Sequence, residues 1–264
     1  MKFLLKSELL LMRYRLPLIL LLSLSISGCA INHPDNTNPQ DPYEHINRKV
    51  FAFNMAVDKA VIRPVAKTYD LILPSPAKKG VSNFFSNLDD LTVTANNLLQ
   101  LQFKKAVANL ARVVINTIVG VGGLFDVATP MGIPKSIGDF GLTLAAWGSD
   151  NTPYLVLPFF GALTIRDAVG IPVDYLLFSV WPHVDSYALR YGLEGEDIIQ
   201  ARATFLASDR VLEQTFDPYV FMRDAYLQRR EFLINKTKKP ETETKTEENR
   251  LAYPIPIDRK IIAH

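Results

Sequence analysis

The sequence predicts a single, mostly α-helical domain between Asp41 and Asn235, and three observations carry that expectation. Apolar residues recur at spacings of three and four behind recognisable helix-start signals. The period-two alternation that marks half-buried strands is poor throughout. No linker or internal repeat interrupts the stretch, and at 48% hydrophobic and 21% charged the 264-residue chain has a globular composition.

The N-terminus must be set aside before the fold is read. Arg13 and Arg15 precede an apolar run from Leu16 to Ile26, which ends in Ile26-Ser27-Gly28-Cys29. A basic region, a short apolar region and small residues before a cut describe a secretory signal. The run has 11 residues, too few to cross a bilayer as a helix. Met12 is an alternative start to Met1. Cys29 is the only cysteine, so it has no partner for an internal disulfide, and it stands where cleavage belongs. Ile-Ser-Gly-Cys resembles the lipobox of bacterial lipoproteins. The resemblance implies residues 1–28 as signal peptide, diacylglycerol on the Cys29 sulfur and an acyl chain on its new amino group. Ala30 follows in place of the Asp associated with inner-membrane retention, which implies the periplasmic face of the outer membrane. Several acyl chains, at about 0.8 kcal/mol per buried methylene, hold a protein there almost permanently.

Residues 29–40 then read as acylated cysteine and tether. Ala30–Gln40 is rich in Asn and Pro and spans at most ~35–40 Å when extended. Residues 236–264 open on a run rich in Lys, Glu and Thr and read as a solvated, disordered tail. Removing the signal takes away Lys2, Lys6, Arg13, Arg15 and Glu8 and leaves the charge near balance. Nothing suggests a nucleic-acid partner, which would need a basic excess on one face.

Asp41-Pro42-Tyr43-Glu44 is a helix start, with Asp41 as N-cap, Pro42 in the first turn and Glu44 three residues after the cap. Ile46, Val50, Phe53, Val57 and Val61 continue as an apolar stripe. Ser75-Pro76 opens a second helix with Val81, Phe84, Phe85 and Leu88 on one face. A third carries Val107, Leu110, Val114 and Ile118 and stops near Gly120. Thr164 to Asp167 has capping-box spacing with Asp in place of Glu. Ile198, Ala201, Phe205 and Leu212 mark a later helix, and Asp217-Pro218 opens the last, with Tyr219, Met222, Tyr226 and Leu233 on a face.

The middle of the chain is different. Ile118 to Ile165 spans 48 residues with four charges, Asp126, Lys135, Asp139 and Asp150, and is broken by prolines and glycines. Two readings stay open on composition: a large soluble core wrapped by turns, or helices lying in the membrane interface with apolar surface left to lipid. The tether favours the second. Tyr154, Phe159, Phe160, Phe178 and Trp181 suit interfacial aromatics and equally suit a core.

Signals for catalysis are weak. No Gly-x-Ser-x-Gly elbow is present. The four histidines are scattered, so no metal site is expected. Gly120-Val121-Gly122-Gly123 lacks the Lys-Ser/Thr of a phosphate loop. The expectation is a protein that is not an enzyme and that holds no cofactor beyond its covalent lipid.

Asp41-Pro42-x-Glu44-x-x-Asn47-Arg48-x-x-Phe51-x-Phe53-Asn54 resembles the opening motif of the MlaA (VacJ) outer-membrane lipoproteins. So, in order, do Arg63-Pro64-Val65, Pro76-Ala77 with Gly80-x-Ser82-Asn83-Phe84, and Asn116-Thr117-x-x-Gly120-x-Gly122-Gly123. Phe140-Gly141-x-Thr143-Leu144, Pro153-Tyr154, Leu157-Pro158, Arg166-Asp167 and Asp217-Pro218-Tyr219 with Arg223-x-Ala225-Tyr226 continue the series. The resemblance covers about Asp41 to Phe232. It departs after Asn235 and at Trp147–Thr152, where Ser149, Asp150 and Asn151 replace part of a glycine-richer loop.

The resemblance implies a ring-like, all-α domain around a central amphipathic channel, with helices lying in the membrane interface. It implies a porin trimer and a soluble periplasmic carrier as partners, and phospholipid as cargo moved inward from the outer leaflet. A structural, porin-associated lipoprotein with no conduit of its own is the alternative. Candidate lipid-binding or channel residues are Asn47, Arg48, Phe53 and Asn54 on the first helix, facing a headgroup or bracing the fold. Phe140, Gly141, Trp147, Gly148 and Tyr154 are candidates on the segment that resembles the family's channel loop, with gating and simple turn-making as the competing roles.

Overall fold

The computed structural model describes residues 38–149 and 151–238. Two compact units divide at Pro39/Gln40, and the elements below belong to the unit that begins at Gln40. The signal segment, Cys29, most of the tether and nearly all of the tail lie outside the described residues.

Helix α1 spans Glu44–Val57 and runs through a π-helical turn, Asp58–Ile62, into α2, Arg63–Ile72. Pro64 in the first turn of α2 lacks an N–H and crowds the preceding turn, and a π turn relieves such a mismatch without ending the helix. Helix α3, Ser75–Leu99, starts with Pro76 in its first turn, where the missing N–H costs nothing. It packs against α4, Phe103–Ile118. Leu101, at φ +59°, turns the chain between them. A long connection leads to α5, Phe140–Ala146. Strands β1, Tyr154–Leu157, and β2, Gly161–Thr164, then pair antiparallel, with Tyr154 opposite Thr164 and Leu157 opposite Gly161. Helix α6, Ile165–Val173, follows at once, contains Pro172, and passes into a second π turn, Asp174–Phe178. Helices α7, Tyr187–Thr204, α8, Asp209–Gln214, and α9, Pro218–Lys238, complete the order.

The α3–α4 pair is built with its polar side inward. From α3 the buried residues are Phe85, Asn87, Asp90, Val93, Asn96 and Asn97; from α4 they are Ala106, Asn109, Arg112 and Asn116. The apolar stripe of α4 is the side left open: Val107 is 67% exposed, Leu110 49%, Val114 48% and Ile118 75%. The inward face is held by Arg112, itself 2% exposed. Its guanidinium donates to Asp90 Oδ2 at 3.3 Å, Thr129 Oγ1 at 2.8 Å, the Ile133 carbonyl at 2.6 Å and Asp126 Oδ1 at 3.3 Å. A buried charge survives only when paired and hydrogen-bonded in this way.

Several expectations change. Asp41 does not cap α1, which begins at Glu44 with no side-chain cap; its carboxylate is buried and serves long-range partners instead. The stripe expected of the first helix is largely exposed at Ile46, Phe53 and Val61. The helix expected around Ile198 to Leu212 is broken after Thr204 by a short 3₁₀ turn, Leu206–Ser208. The β1–β2 hairpin was not expected in an all-α domain, because four-residue strands are too short to show alternation. Helix α9 runs past Asn235 to Lys238. The Thr164–Asp167 capping box forms: the Thr164 hydroxyl and backbone N–H and the Asp167 carboxylate and backbone N–H pair reciprocally.

Candidate functional site

Two asparagines lay the hairpin against α1. Asn47 is fully buried; its Nδ2 donates to the Tyr154 carbonyl at 3.3 Å, and its Oδ1 accepts from the Val156 N–H at 2.9 Å. Asn54 repeats the grip: Nδ2 donates to the Leu157 carbonyl at 2.9 Å, and Oδ1 accepts from the Phe159 N–H at 2.9 Å. The spacing explains the pair. Seven residues of helix rise about 10.5 Å. Three residues of strand rise about 10 Å. An amide side chain at each step therefore meets the same groups of the strand, substituting for a neighbouring strand.

Asp41 locks the same corner. Its carboxylate accepts from Asn47 Nδ2 at 2.8 Å, Tyr219 OH at 2.5 Å and Arg223 Nη1 at 3.2 Å. The Gln40 carbonyl accepts from the Tyr154 N–H at 2.8 Å, so the chain arriving from the tether is pinned to β1. Arg48 lies 4.4 Å over the Tyr219 ring and donates to both carboxylate oxygens of Asp217, at 3.2 and 2.8 Å, and to Glu44 at 2.7 Å. The Asp217 hydrogen bond holds the Arg48 guanidinium above its usual range, and Arg48 holds the Asp217 carboxyl below its own. Asp217 also accepts from the Tyr219 and Val220 N–H groups, capping α9. Phe53 packs edge-on against Phe159, centroids 5.4 Å apart. Tyr154 is fully buried between Tyr219 and Tyr226, and burial pushes its phenol up.

The second group surrounds α5. Asp139 caps this helix by accepting from the Leu142 N–H at 2.8 Å. Arg230, from α9, donates to both Asp139 oxygens at 2.7 and 3.0 Å, and to Asp167 of α6. Tyr226 OH also donates to Asp167. Burial opposes the Asp167 charge, but Arg230, Tyr226 and Thr164 outweigh it and hold the carboxyl below the usual range. Asp174 of the second π turn accepts from the Phe140 N–H at 2.8 Å and Asn96 Nδ2 at 2.7 Å. Thr143 OH donates to Asn96 Oδ1 at 2.7 Å, tying α5 to α3. The segment expected to be a loop is thus a short helix clamped by polar groups from α3, α6 and α9.

Within it, the candidate residues separate. Gly141 is buried where a Cβ would stand 2.2 Å from Asp167 Oδ1, and Gly170 faces it so closely that its own Cβ would reach the Gly141 nitrogen at 2.7 Å. Gly141 is therefore required by the α5–α6 crossing. Gly148 lies beyond the helix at φ +101° with open space around it. Trp147 is 58% exposed, packs edge-on against Phe140 and donates Nε1–H to the Leu99 carbonyl at 3.1 Å.

The structure brings Asn47, Arg48, Phe53, Asn54 and Tyr154 into one assembly, and Phe140, Gly141 and Trp147 into another, with α9 touching both. The first reads as bracing, since its polar atoms are spent on protein. Sequence reasoning read Asp167 only as part of a cap and a motif, and missed the roles of Asp139 and Arg230 and the inward face of α3–α4. A signal was available: Asn109, Arg112 and Asn116 recur at helical spacing beside the apolar stripe. Among the described residues no cluster of His, Cys, Asp and Glu could hold a metal ion, and no helix is long and apolar enough to cross a membrane.

Comparisons with known proteins agree with this architecture. The family model described as MlaA lipoprotein matches residues 39–233. The chain is 37% identical over 260 residues to the "Intermembrane phospholipid transport system lipoprotein MlaA" of Escherichia coli K12, covering 95% of this chain and 99% of the relative. The protein of the same name from Haemophilus influenzae is 34% identical over 228 residues, covering 83% and 90%. A solved structure bearing on the "structural basis for maintenance of bacterial outer membrane lipid asymmetry" superposes with a TM-score of 0.65 at 34% identity, over 74% of this chain and 98% of the other.

Proposed function

This chain belongs to the MlaA lipoprotein family, and from that premise we propose that it removes mislocalised phospholipid from the outer leaflet of the outer membrane and passes it inward, maintaining lipid asymmetry. The observation that carries this reading is the inversion of α4, whose polar face packs inward on α3 and whose apolar stripe is left open. A water-soluble globule buries its apolar stripes; a body immersed in acyl chains leaves them open. Cys29 carries the acyl anchor, and the chain acts from the periplasmic face of the outer membrane. An amphipathic passage takes a lipid with a charged and a greasy end; a porin trimer positions the protein, and a soluble periplasmic carrier receives the cargo. In this reading the protein is a transport component and not an enzyme: it needs no cofactor beyond the covalent lipid, and purified protein incubated with phospholipid should release no fatty acid.

Deletion of the gene tests the reading. Phospholipid should accumulate in the outer leaflet, and the wild-type gene should reverse this while a Cys29→Ala gene should not. Normal leaflet composition in the deletion strain would overturn it.

A further inference from the structure

A groove of about 490 Å³ runs between α2 and α7, and no residue of the hairpin or of α5 lines it. Its walls are Val65, Tyr69 and Ile72 from α2 and Gly195, Glu196 and Ile199 from α7. The wall is apolar but for Thr68, Tyr69 and Glu196. Val65 and Ile72 are 47% and 68% exposed, although they face this concavity and no packing partner covers them. Gly195 deepens it: a Cβ there would meet nothing within 4 Å. No Lys or Arg lines it.

Two of its polar groups are a carboxylate, Glu196, and a phenol, Tyr69. Tyr69 is nine-tenths buried, and its hydroxyl makes no hydrogen bond of ordinary geometry among the described residues. Burial, and after it the neighbouring Glu196 carboxylate, push this phenol up to about 12. An apolar trough with one carboxylate in its wall and no basic side chain matches one kind of amphiphile: an acyl chain attached to a headgroup that carries a cation.

We propose that the α2–α7 groove seats an acyl chain of a phospholipid with an amine headgroup, the ammonium resting against Glu196. The inference rests on the transport reading above and adds a preference to it. A zwitterionic ethanolamine lipid places its ammonium on the carboxylate. An anionic glycerol lipid brings no cation, and its phosphate is repelled by Glu196.

The test uses the full-length, acylated protein in detergent. It is equilibrated with an equimolar mixture of phosphatidylethanolamine and phosphatidylglycerol, and the retained lipid is measured by mass spectrometry. Wild-type protein should retain ethanolamine lipid in about threefold excess, the worth of one half-exposed charge pair. Glu196→Gln should bring the ratio to that of the mixture without lowering the total. Gly195→Leu, which fills the trough from a helical position with room for the side chain, should lower the total several-fold. Gly192→Leu, on the same helix and equally open but outside the groove, should leave amount and ratio as in wild type. Wild-type protein that retains lipid while Glu196→Gln and Gly195→Leu change neither amount nor ratio would overturn the groove and leave the transport reading standing. Equal retention of the two lipids by wild type would overturn the headgroup preference. Wild-type protein that retains no phospholipid at all would overturn both.

Discussion

Asn47 makes three hydrogen bonds from a fully buried position, to Asp41, Tyr154 and Val156. Truncating it removes one donor from the Asp41 carboxylate and takes the side-chain partners from the Tyr154 carbonyl and the Val156 N–H, and such orphaned groups cost about 1–3 kcal/mol each when buried. Asn47→Ala should therefore destabilise the fold by at least about 2 kcal/mol in a detergent-solubilised denaturation series. Asn54→Ala, half-buried and beside solvent, should cost about 1 kcal/mol. Equal losses would refute the burial argument. Asp167 carries a pH dependence. Its folded carboxyl lies below the usual range, so its stabilisation is present above about pH 4 and is lost as pH falls through the folded value. Asp167→Asn should lower the thermal midpoint at pH 7 and flatten its decline between about pH 5 and pH 2. An unchanged slope would show that Arg230 does not act through this carboxylate.

At the scale of elements, α5 and α6 cross on two glycines. Gly→Ala inside a helix ordinarily stabilises by up to about 1 kcal/mol. At Gly170 the new Cβ would stand 2.7 Å from the Gly141 nitrogen, a backbone atom that cannot swing aside. Gly170→Ala should destabilise by about 1–3 kcal/mol, as overpacking does; a stabilised variant would mean that the crossing is looser than described. Gly141→Ala meets Asp167 Oδ1 in the same way, so a loss of transport in that variant has a packing explanation. Gly148, at φ +101° in open space, is the cleaner probe of gating, since Gly148→Ala costs only backbone strain of about 1 kcal/mol. The sequence makes most helices legible, because proline and capping signals mark Ser75, Thr164 and Asp217 and apolar spacing marks the rest. The hairpin and α5 were hidden by brevity: seven helical residues and two four-residue strands are too short to show a period. Asp41 misleads because the residues that read as a cap locally are claimed by Tyr219 and Arg223, far away in the chain.

At the scale of the whole molecule, the stripes are legible in the sequence and their direction is not. Amphipathic spacing says that a helix has two faces; only the surroundings decide which is covered. In α4 the covered face is Asn109, Arg112 and Asn116, and the open face is Val107, Leu110, Val114 and Ile118. In water such a face is a liability. In acyl chains it is the favourable arrangement. Nitroxide labels on Leu110→Cys and Val114→Cys, in otherwise full-length protein carrying the acyl group proposed for Cys29, decide the matter in phospholipid vesicles. Relaxation by oxygen should lie well above that by a water-soluble nickel complex at both positions, with the reverse at a label on exposed Lys104. Labels at Leu110 and Val114 that the nickel complex reaches as readily as Lys104 would mean that water, and not lipid, covers this face.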